Sequence, residues 1–194
     1  VIAATGLALG EELSPYQIAQ IALSIEPTDG IMIPGVALFD HRAGTIRESL
    51  GPPPPMEIVA LDLGGTVDTV QFNMVDRFQR WQSVDEQTAE ALRLLRLGIA
   101  NEDPALVGQG ASISADASQT VLAKPRLAEV REFAESVGAV GVNVGHSGTI
   151  MGVLLDARER RGKSTYHKAK EAFPDADAVY HFRLLGGGVQ RVDA

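Results

Sequence analysis

Acidic and hydroxyl side chains are concentrated in one short stretch of the sequence, where they could take part in proton transfer or metal binding. Glu26 and Asp29 lie in residues 24–30, which read Ser-Ile-Glu-Pro-Thr-Asp-Gly, and the proline and glycine there interrupt any regular element. A carboxylate can orient or deprotonate a hydroxyl group, or help to hold a Mg²⁺ ion. A structural explanation is also open, because Asp before Gly is a frequent turn former and Glu26 stands at the end of a predicted helix.

A second candidate site is the glycine segment, Gly145-His-Ser-Gly-Thr149, which is followed by Gly152. Glycines so close together allow the backbone to approach a ligand. The polar triplet His146, Ser147 and Thr149 interrupts an otherwise apolar hairpin, and a tight two-residue turn would not need it. A simple hairpin turn is the structural alternative. No second histidine stands at metal-ligand spacing from His146, so a zinc site is not predicted.

The composition narrows both the chemistry and the class of partner. The sequence has no cysteine, which excludes disulfides, thiolate metal sites and cysteine nucleophiles. Its net charge of −8 argues against nucleic acid as a partner, and the one basic cluster, residues 158–163, is predicted to be a solvated loop rather than a ligand patch. No apolar stretch approaches the roughly 20 residues of a membrane-spanning helix, and the first residues do not read as a secretory signal. We therefore expect a cytoplasmic protein without a membrane partner.

The acidic stretch is expected to lie between a helix and two strands. Ser14 and Gln17 form a capping box, with a proline at the first helical position, and they predict a helix over residues 15–25. Residues 36–41 and 45–50 are predicted strands joined by a short turn. These elements would hold the two acids in a loop between the helix and the first strand.

The polyproline segment 51–55 is the predicted domain boundary, because it is stiff. It gives two predicted domains, 1–54 and 55–194. Residues 1–9 read as the second half of an apolar helix, so we expect the chain to be a fragment of a longer protein.

The glycine segment is expected to join two strands of an α+β domain. The predicted strands are 57–63, 139–144, 150–156 and 178–183. The predicted helices are 81–100, one that begins at Asp103-Pro104, one around 127–137, and 164–173. The first of these has its apolar stripe at Val84, Thr88, Ala91, Leu92, Leu95 and Ile99. The order strand, helices, strand, strand, helix, strand predicts a ferredoxin-like α/β sandwich.

Several motifs occur in the same order as in one family of small-molecule kinases. They are Ser24-Ile-Glu-Pro-Thr-Asp29, Leu38-Phe-Asp-His41, Pro52-Pro-Pro-Pro55, Ala117-Ser-Gln-Thr120 with Lys124-Pro125, and the glycine segment with Gly152. By these motifs the sequence resembles the GHMP superfamily of kinases, and among them the bacterial L-threonine kinases, over nearly the whole chain. Such enzymes pair an N-terminal domain with a ferredoxin-like C-terminal domain, and they transfer the γ-phosphoryl group of ATP to a hydroxyl.

The resemblance implies ATP and Mg²⁺ as cofactors and gives each candidate residue a role. Asp29 would be the catalytic base and Glu26 the metal ligand. The glycine segment would supply cofactor contacts from Gly145 and Gly148, and substrate contacts from His146, Ser147 and Thr149. The implied product is O-phospho-L-threonine, made for the cobalamin side chain. The family's phosphate loop is not in the sequence, and we expect it upstream of Val1.

Two other functions stay open. One is a kinase of the same superfamily with another acceptor, such as homoserine or a related hydroxy acid. The other is a non-catalytic ferredoxin-like module that binds an amino acid as a sensor. The paired acids in residues 24–30 favour an enzyme, since a sensor would have no use for them beside a phosphate site. The partner is a small molecule in each case, and a homodimer is left open.

Overall fold

The computed structural model describes residues 1–45, 47–65, 78–145 and 149–190, apart from the side chains of Phe78 and Trp81. The chain divides into two compact units. The first unit contains residues 1–53 together with the segment after Leu184, and the second unit runs from Pro54 to Leu184. The domain ranges 1–54 and 55–194 stay a prediction. Within the part of the chain that is described, no helix is long and apolar enough to cross a membrane.

In the first unit, two helices precede a two-stranded antiparallel sheet. The elements are α1 (Ile2–Ala8), α2 (Pro15–Leu23), β1 (Val36–Phe39) and β2 (Arg47–Gly51). The predicted capping box begins α2: the N–H of Gln17 donates to the Ser14 hydroxyl, and the N–H of Ser14 donates to the Gln17 side chain. The predicted helix and both predicted strands are confirmed, with ends that differ by one or two residues.

The segment after Leu184 completes the first unit. The N–H of Gly35 donates to the carbonyl of Gly187 at 3.2 Å, and the N–H of Gly187 donates to the carbonyl of Gly35 at 2.8 Å. A Cβ on Gly187 would lie only 2.5 Å from the Ile33 carbonyl oxygen, so this close pairing requires glycine. The small apolar core of the unit consists of Ile18, Ala19, Met32 and Ile33.

The second unit is a four-stranded antiparallel sheet with helices. Its helices are α3 (Phe78–Gln82), α4 (Asp85–Ala100), α5 (Pro104–Ser118), α6 (Leu127–Ser136) and α7 (Gly162–Ala172). Its strands are β3 (Met56–Asp62), β4 (Gly141–Val144), β5 (Ile150–Asp156) and β6 (Ala178–Arg183). The sheet order β4-β5-β3-β6, with every neighbouring pair antiparallel, is that of a ferredoxin-like sandwich. The predicted α+β fold class is confirmed.

The core of the second unit lies between the sheet and its helices. Alternate residues of β3 and β5 point inward, and Val59, Leu61 and Val153 are fully buried. Helix α6 adds an apolar face. Helix α7 is followed by Phe173, whose ring meets that of Phe133 edge-on at 5.5 Å. Each fully buried aliphatic side chain contributes about 1.5–3 kcal/mol, so this core fixes the strands that end at the glycine segment.

The prediction of one helix over residues 81–100 is wrong in its first turn. Helix α3 ends at Gln82, and α4 begins only at Asp85. Val84 is buried at 4% exposure, which draws the chain inward at the break. Asp85 and Glu86 then occupy the first turn of α4, where acidic side chains are favourable to the helix dipole.

The predicted buried face of α4 is also only partly right. Leu94 and Gly98 are buried, whereas Thr88 is exposed. Helix α5 approaches closely: a Cβ on Gly110 would lie 2.8 Å from the Ala91 carbonyl oxygen, and one on Gly98 would lie 2.7 Å from Val107 Cγ2. The two helices therefore meet at glycines, which allow their backbones to lie close together. The pattern of apolar residues gave no indication of this contact.

Helix α5 covers the outer edge of strand β4. The N–H of Val142 donates to the Ser112 hydroxyl at 3.0 Å, and that hydroxyl donates to the Gly108 carbonyl at 2.9 Å. A Cβ on Gly108 would overlap the Val140 backbone, and one on Gly141 would overlap the backbone of Gly108. This contact fixes the strand that leads into the glycine segment.

Candidate functional site

The predicted acidic loop follows the end of α2. Glu26 and Asp29 are both exposed, so their carboxylates are accessible to a ligand. The N–H of Glu26 donates to the Ala22 carbonyl at 3.1 Å, and the N–H of Thr28 donates to the His41 carbonyl at 3.0 Å. These bonds anchor the loop backbone while the two acidic side chains face solvent. The assignments as base and metal ligand stay predictions.

A Mg²⁺ ion bound together with a nucleotide would need few protein ligands from the acidic loop. Among the described residues, no group of three or more histidine and acidic side chains could hold a metal ion. Mg²⁺ in phosphate-transfer sites usually keeps several waters and takes one or two carboxylates plus phosphate oxygens. A single exposed carboxylate such as that of Glu26 meets this requirement. The donor set therefore suits a shared metal rather than one held by protein ligands alone.

The carboxylate of Asp40 is engaged in a turn rather than presented to a ligand. It accepts hydrogen bonds from the Thr45 hydroxyl at 2.6 Å and from the N–H groups of Arg42 at 3.0 Å and Ala43 at 3.1 Å. These bonds stabilise the charged form, so they hold the pKa of Asp40 well below its usual range. Asp40 is thus the residue that shapes the turn between the two strands of the first unit.

The ends of the glycine segment are held by the hairpin of β4 and β5. The N–H of Gly145 donates to the Ile150 carbonyl at 2.9 Å, which places Gly145 and Thr149 beside the last strand pair. The other predicted contacts, His146, Ser147 and Gly148, lie outside the described residues. All five assignments to nucleotide or substrate stay predictions.

Gly152 has a packing role within β5. A Cβ at this position would overlap the side-chain oxygen of Asn143 and would lie 3.0 Å from Ile58 Cγ2. The space beside Gly152 is therefore filled by protein side chains.

Thr149 also lines a cavity of about 280 Å³ in the second unit. Its walls are the turn after β3 (residues 63–65), the segment 122–126 after α5, Thr149 itself and Met151. We call it the Lys124 cavity. Gly64 and Gly65 have φ of 78° and 94°, a left-handed conformation that only glycine adopts without strain. The turn lies against the glycine segment, since a Cβ on Gly65 would be 3.6 Å from Thr149 Cγ2.

Lys124 is the unexpected member of this cavity. Lysine is almost never fully buried, and this residue is only 5% exposed. Burial lowers the pKa of the Lys124 ammonium. The side-chain oxygen of Gln119 accepts the Lys124 N–H at 2.7 Å, and the Gln119 amide nitrogen donates to the Ala115 carbonyl at 3.1 Å. Gln119 therefore ties the segment that carries Lys124 to the end of α5.

The sequence showed the parts of the Lys124 cavity separately. Lys124-Pro125 stood in one motif, and Gly64-Gly65 directly follow the predicted strand 57–63, but nothing indicated that they meet at Thr149. A glycine pair directly after a buried strand is the signal that could have marked the turn as a site.

The basic cluster of residues 158–163 is largely occupied by internal contacts. Arg158 pairs with Asp156 at 2.7 Å. Arg161 pairs with Glu159 and donates to the carbonyls of Val137 at 2.7 Å and Gly138 at 2.8 Å. Arg158 and Arg161 are thus engaged within the protein. The prediction of a loop is wrong in part, because the cluster covers the end of a short 3-10 helix (Ala157–Glu159) and the start of α7.

Known proteins match the chain along nearly all of its length. The family model described as GHMP kinases C terminal matches residues 89–175. Over 198 residues, the chain is 30% identical to the L-threonine kinase of Citrobacter freundii, a match that covers 97% of this chain and 68% of that relative. The chain belongs to the GHMP kinase family. The resemblance drawn from the motifs is confirmed.

A second L-threonine kinase matches this GHMP kinase family member with the same sequence identity. The L-threonine kinase of Salmonella typhimurium is also 30% identical over 198 residues, and the match covers 97% of this chain. The chain spans 65% of the length of that relative.

A solved structure agrees with the assigned fold. The crystal structure of the homoserine kinase from Cytophaga hutchinsonii superimposes with a TM-score of 0.66 at 13% identity, over 95% of this chain and 62% of that one. At this identity the likeness concerns the fold alone.

Proposed function

We propose that this GHMP kinase family member is an ATP-dependent kinase that phosphorylates the hydroxyl of L-threonine to O-phospho-L-threonine. The observation that carries the proposal is the 30% identity to two L-threonine kinases, which extends over 97% of the chain. The resemblance also implies a role in cobalamin side-chain assembly and a cytoplasmic location, and both belong to this proposal. A homodimer is compatible with it.

In the proposed reaction, the threonine hydroxyl oxygen forms a bond to the γ-phosphorus of ATP. The bond from that phosphorus to the oxygen bridging to the β-phosphate breaks, and ADP leaves with the electron pair. The proton of the hydroxyl passes to the carboxylate of Asp29, which suits this role because it is exposed on an anchored loop. Bound with the nucleotide, Mg²⁺ would neutralise charge on the phosphates, with Glu26 as its protein ligand.

The glycine segment is proposed to contact both reactants. Gly145 and Gly148 would contact the nucleotide, since a glycine lets a ligand approach the backbone closely. The side chains of His146, Ser147 and Thr149 would contact the acceptor. Residues 1–54 would belong to the N-terminal domain and residues 55–194 to the C-terminal domain, with the family's phosphate loop completing the nucleotide site in the full-length protein.

Measuring ADP release by the full-length protein tests the proposal. The acceptors are L-threonine, L-serine and L-homoserine, each with ATP and Mg²⁺, and phosphorus NMR identifies the product. We expect kcat/KM for threonine to exceed the others by about tenfold or more, which corresponds to 1.4 kcal/mol of discrimination at about 25 °C. A clear preference for homoserine would assign a different acceptor. Binding of threonine without any ADP release would indicate a sensor module.

A further inference from the structure

The outer edge of strand β6 is a row of free backbone groups. In the part of the chain that the structure describes, β6 is the last strand of its sheet and pairs only with β3. The N–H of Leu184 donates to the Met56 carbonyl at 3.0 Å. Because hydrogen-bonded positions alternate in an antiparallel ladder, every second residue before Leu184 also directs its backbone groups toward β3. The N–H and C=O groups of Val179, His181 and Arg183 therefore face outward.

Two aromatic side chains lie on β6 beside this open edge. Tyr180 and Phe182 are two residues apart and so point to the same face of the sheet, and their rings stack at 5.6 Å with 18° between the ring planes. They are 43% and 53% exposed. Aromatic side chains are enriched in protein interfaces. The strand contains neither proline nor lysine, the residues that commonly prevent an edge from pairing with another strand.

A second copy of the same strand fits this edge. In an antiparallel pair centred on His181, Val179 of each copy lies opposite Arg183 of the other. This is the one antiparallel register that pairs all of the outward-facing residues. It also places Tyr180 opposite Phe182 of the second copy in a non-hydrogen-bonded pair, where cross-strand side chains are closest. A two-fold axis repeats each contact, so the edge is complementary to itself.

The charges at the two ends of β6 complement one another in this arrangement. Arg183 is the last residue of the strand, and Asp177 directly precedes the first. Both are exposed, and neither forms an ion pair with another described residue. With Arg183 opposite Val179, Asp177 of the second copy is the diagonal neighbour of Arg183, within reach of a long side chain. The arrangement brings neither two arginines nor two aspartates together.

We propose that the outer edge of β6 binds the same edge of a second copy of the protein, so that two four-stranded sheets form one continuous antiparallel sheet. The two-fold axis passes beside His181. A strand of a different protein could use the same backbone groups, but it would lack the two-fold match of Tyr180 with Phe182. The dimer does not depend on the kinase reaction, and a monomeric protein would leave the proposed function standing.

Sedimentation equilibrium of the full-length protein tests the dimer at about pH 8, where the facing histidines are uncharged. We expect the mass of a dimer. Two double variants that differ in one side chain test the register. Tyr180→Lys with Phe182→Lys puts like charges opposite each other and should raise the dimer Kd about a hundredfold or more. Tyr180→Lys with Phe182→Glu puts opposite charges there and should keep Kd within about tenfold of that of the unmodified protein.

Leu97→Lys, at an exposed apolar position of α4, is the control for added charge and should leave the dimer unchanged. Circular dichroism checks that each variant is folded. A monomeric unmodified protein would overturn the proposal. So would a double-lysine variant that stays dimeric, or equal Kd values for the two double variants.

A second measurement needs no variant. Hydrogen exchange of the Val179, His181 and Arg183 amides is compared at high and low concentrations of the unmodified full-length protein. In the dimer these N–H groups are hydrogen-bonded, so we expect them to exchange about tenfold or more slowly at the higher concentration. Fast exchange at a concentration where the protein is dimeric would overturn the proposal, because the dimer would then use another surface.

Discussion

Gly108 on α5 and Gly141 at the start of β4 meet backbone to backbone. Neither position has room for a Cβ, because each would overlap the backbone opposite. The contact brings Ser112 within hydrogen-bonding distance of Val142 and so satisfies an amide on the outer edge of β4. The position of the glycine segment thus depends on two residues that lack a side chain: Gly141, shortly before the segment, and Gly108, far from it in the sequence.

Substitution of Gly108 by alanine should destabilise the protein. In a helix, alanine is intrinsically more favourable than glycine by about 1 kcal/mol, but here the added methyl group would force α5 away from β4. We expect a net loss of about 1–3 kcal/mol, measured by urea unfolding. Gln109→Ala, at the exposed neighbouring position of α5, is the control and should change stability by less than about 0.5 kcal/mol. A more stable Gly108→Ala variant would contradict the close contact.

The turn at Asp40 should make a contribution to stability that depends on pH. Hydrogen bonds, first of all from the Thr45 hydroxyl, hold the pKa of Asp40 in the folded protein far below that of an unfolded chain. The stabilisation is therefore present above about pH 4, near the unfolded pKa of aspartate, and is lost as the pH falls below that value.

Asp40→Asn tests this dependence. At pH 7 we expect the variant to be less stable than the unmodified protein by about 1 kcal/mol, and the difference should shrink at pH 3. Urea unfolding followed by circular dichroism measures both values. Glu11→Gln, an exposed acid in the same unit, is the control and should show no such change. A difference that is independent of pH would show that the Asp40 carboxylate does not titrate as inferred.

Asp29→Asn tests the role of the acidic loop in the proposed reaction. Loss of a general base typically lowers the rate by about 10²–10⁴. We expect kcat for threonine to fall by at least about a hundredfold while KM changes by less than about threefold. Asp85→Asn, at an exposed acid of α4, should leave both constants unchanged. If Asp29→Asn retains full activity, Asp29 is a turn residue only.

Gln119 should stabilise the segment that follows α5. Gln119→Ala removes both the acceptor for the Lys124 N–H and the donor to the Ala115 carbonyl. We expect a loss of about 1–2 kcal/mol in the free energy of unfolding, measured by urea unfolding. Gln109→Ala, at an exposed position of α5, is the control and should change stability by less than about 0.5 kcal/mol. Equal stability of the two variants would show that the Gln119 side chain does not hold this segment.

Local signals in the sequence predicted most of the second unit. Asp103 caps α5 as expected, with its carboxylate accepting the N–H of Ala105 at 2.8 Å. A short apolar run located β3, and the alternation of apolar residues located β4. The order of these elements was sufficient for the ferredoxin-like fold.

The remaining features depend on contacts between distant segments. The buried face of α4 is set where Gly98 lies against Val107 and where Gly110 of α5 lies against Ala91. A pattern of apolar residues does not reveal such close contacts. Lysine is usually a surface residue, so the burial of Lys124 could not be expected from its type. It arises only when the turn after β3, the end of α5 and Thr149 come together.

The pairing of Gly35 with Gly187 has a consequence for the order of folding during synthesis. The second unit is one uninterrupted stretch, from Pro54 to Leu184, and can fold as soon as it has left the ribosome. The first unit has to wait, although most of it is translated earlier, because its last hydrogen bonds come from residues made after the second unit is complete. A nascent chain that stalls before Gly187 would thus contain a folded second unit and an incompletely folded first unit.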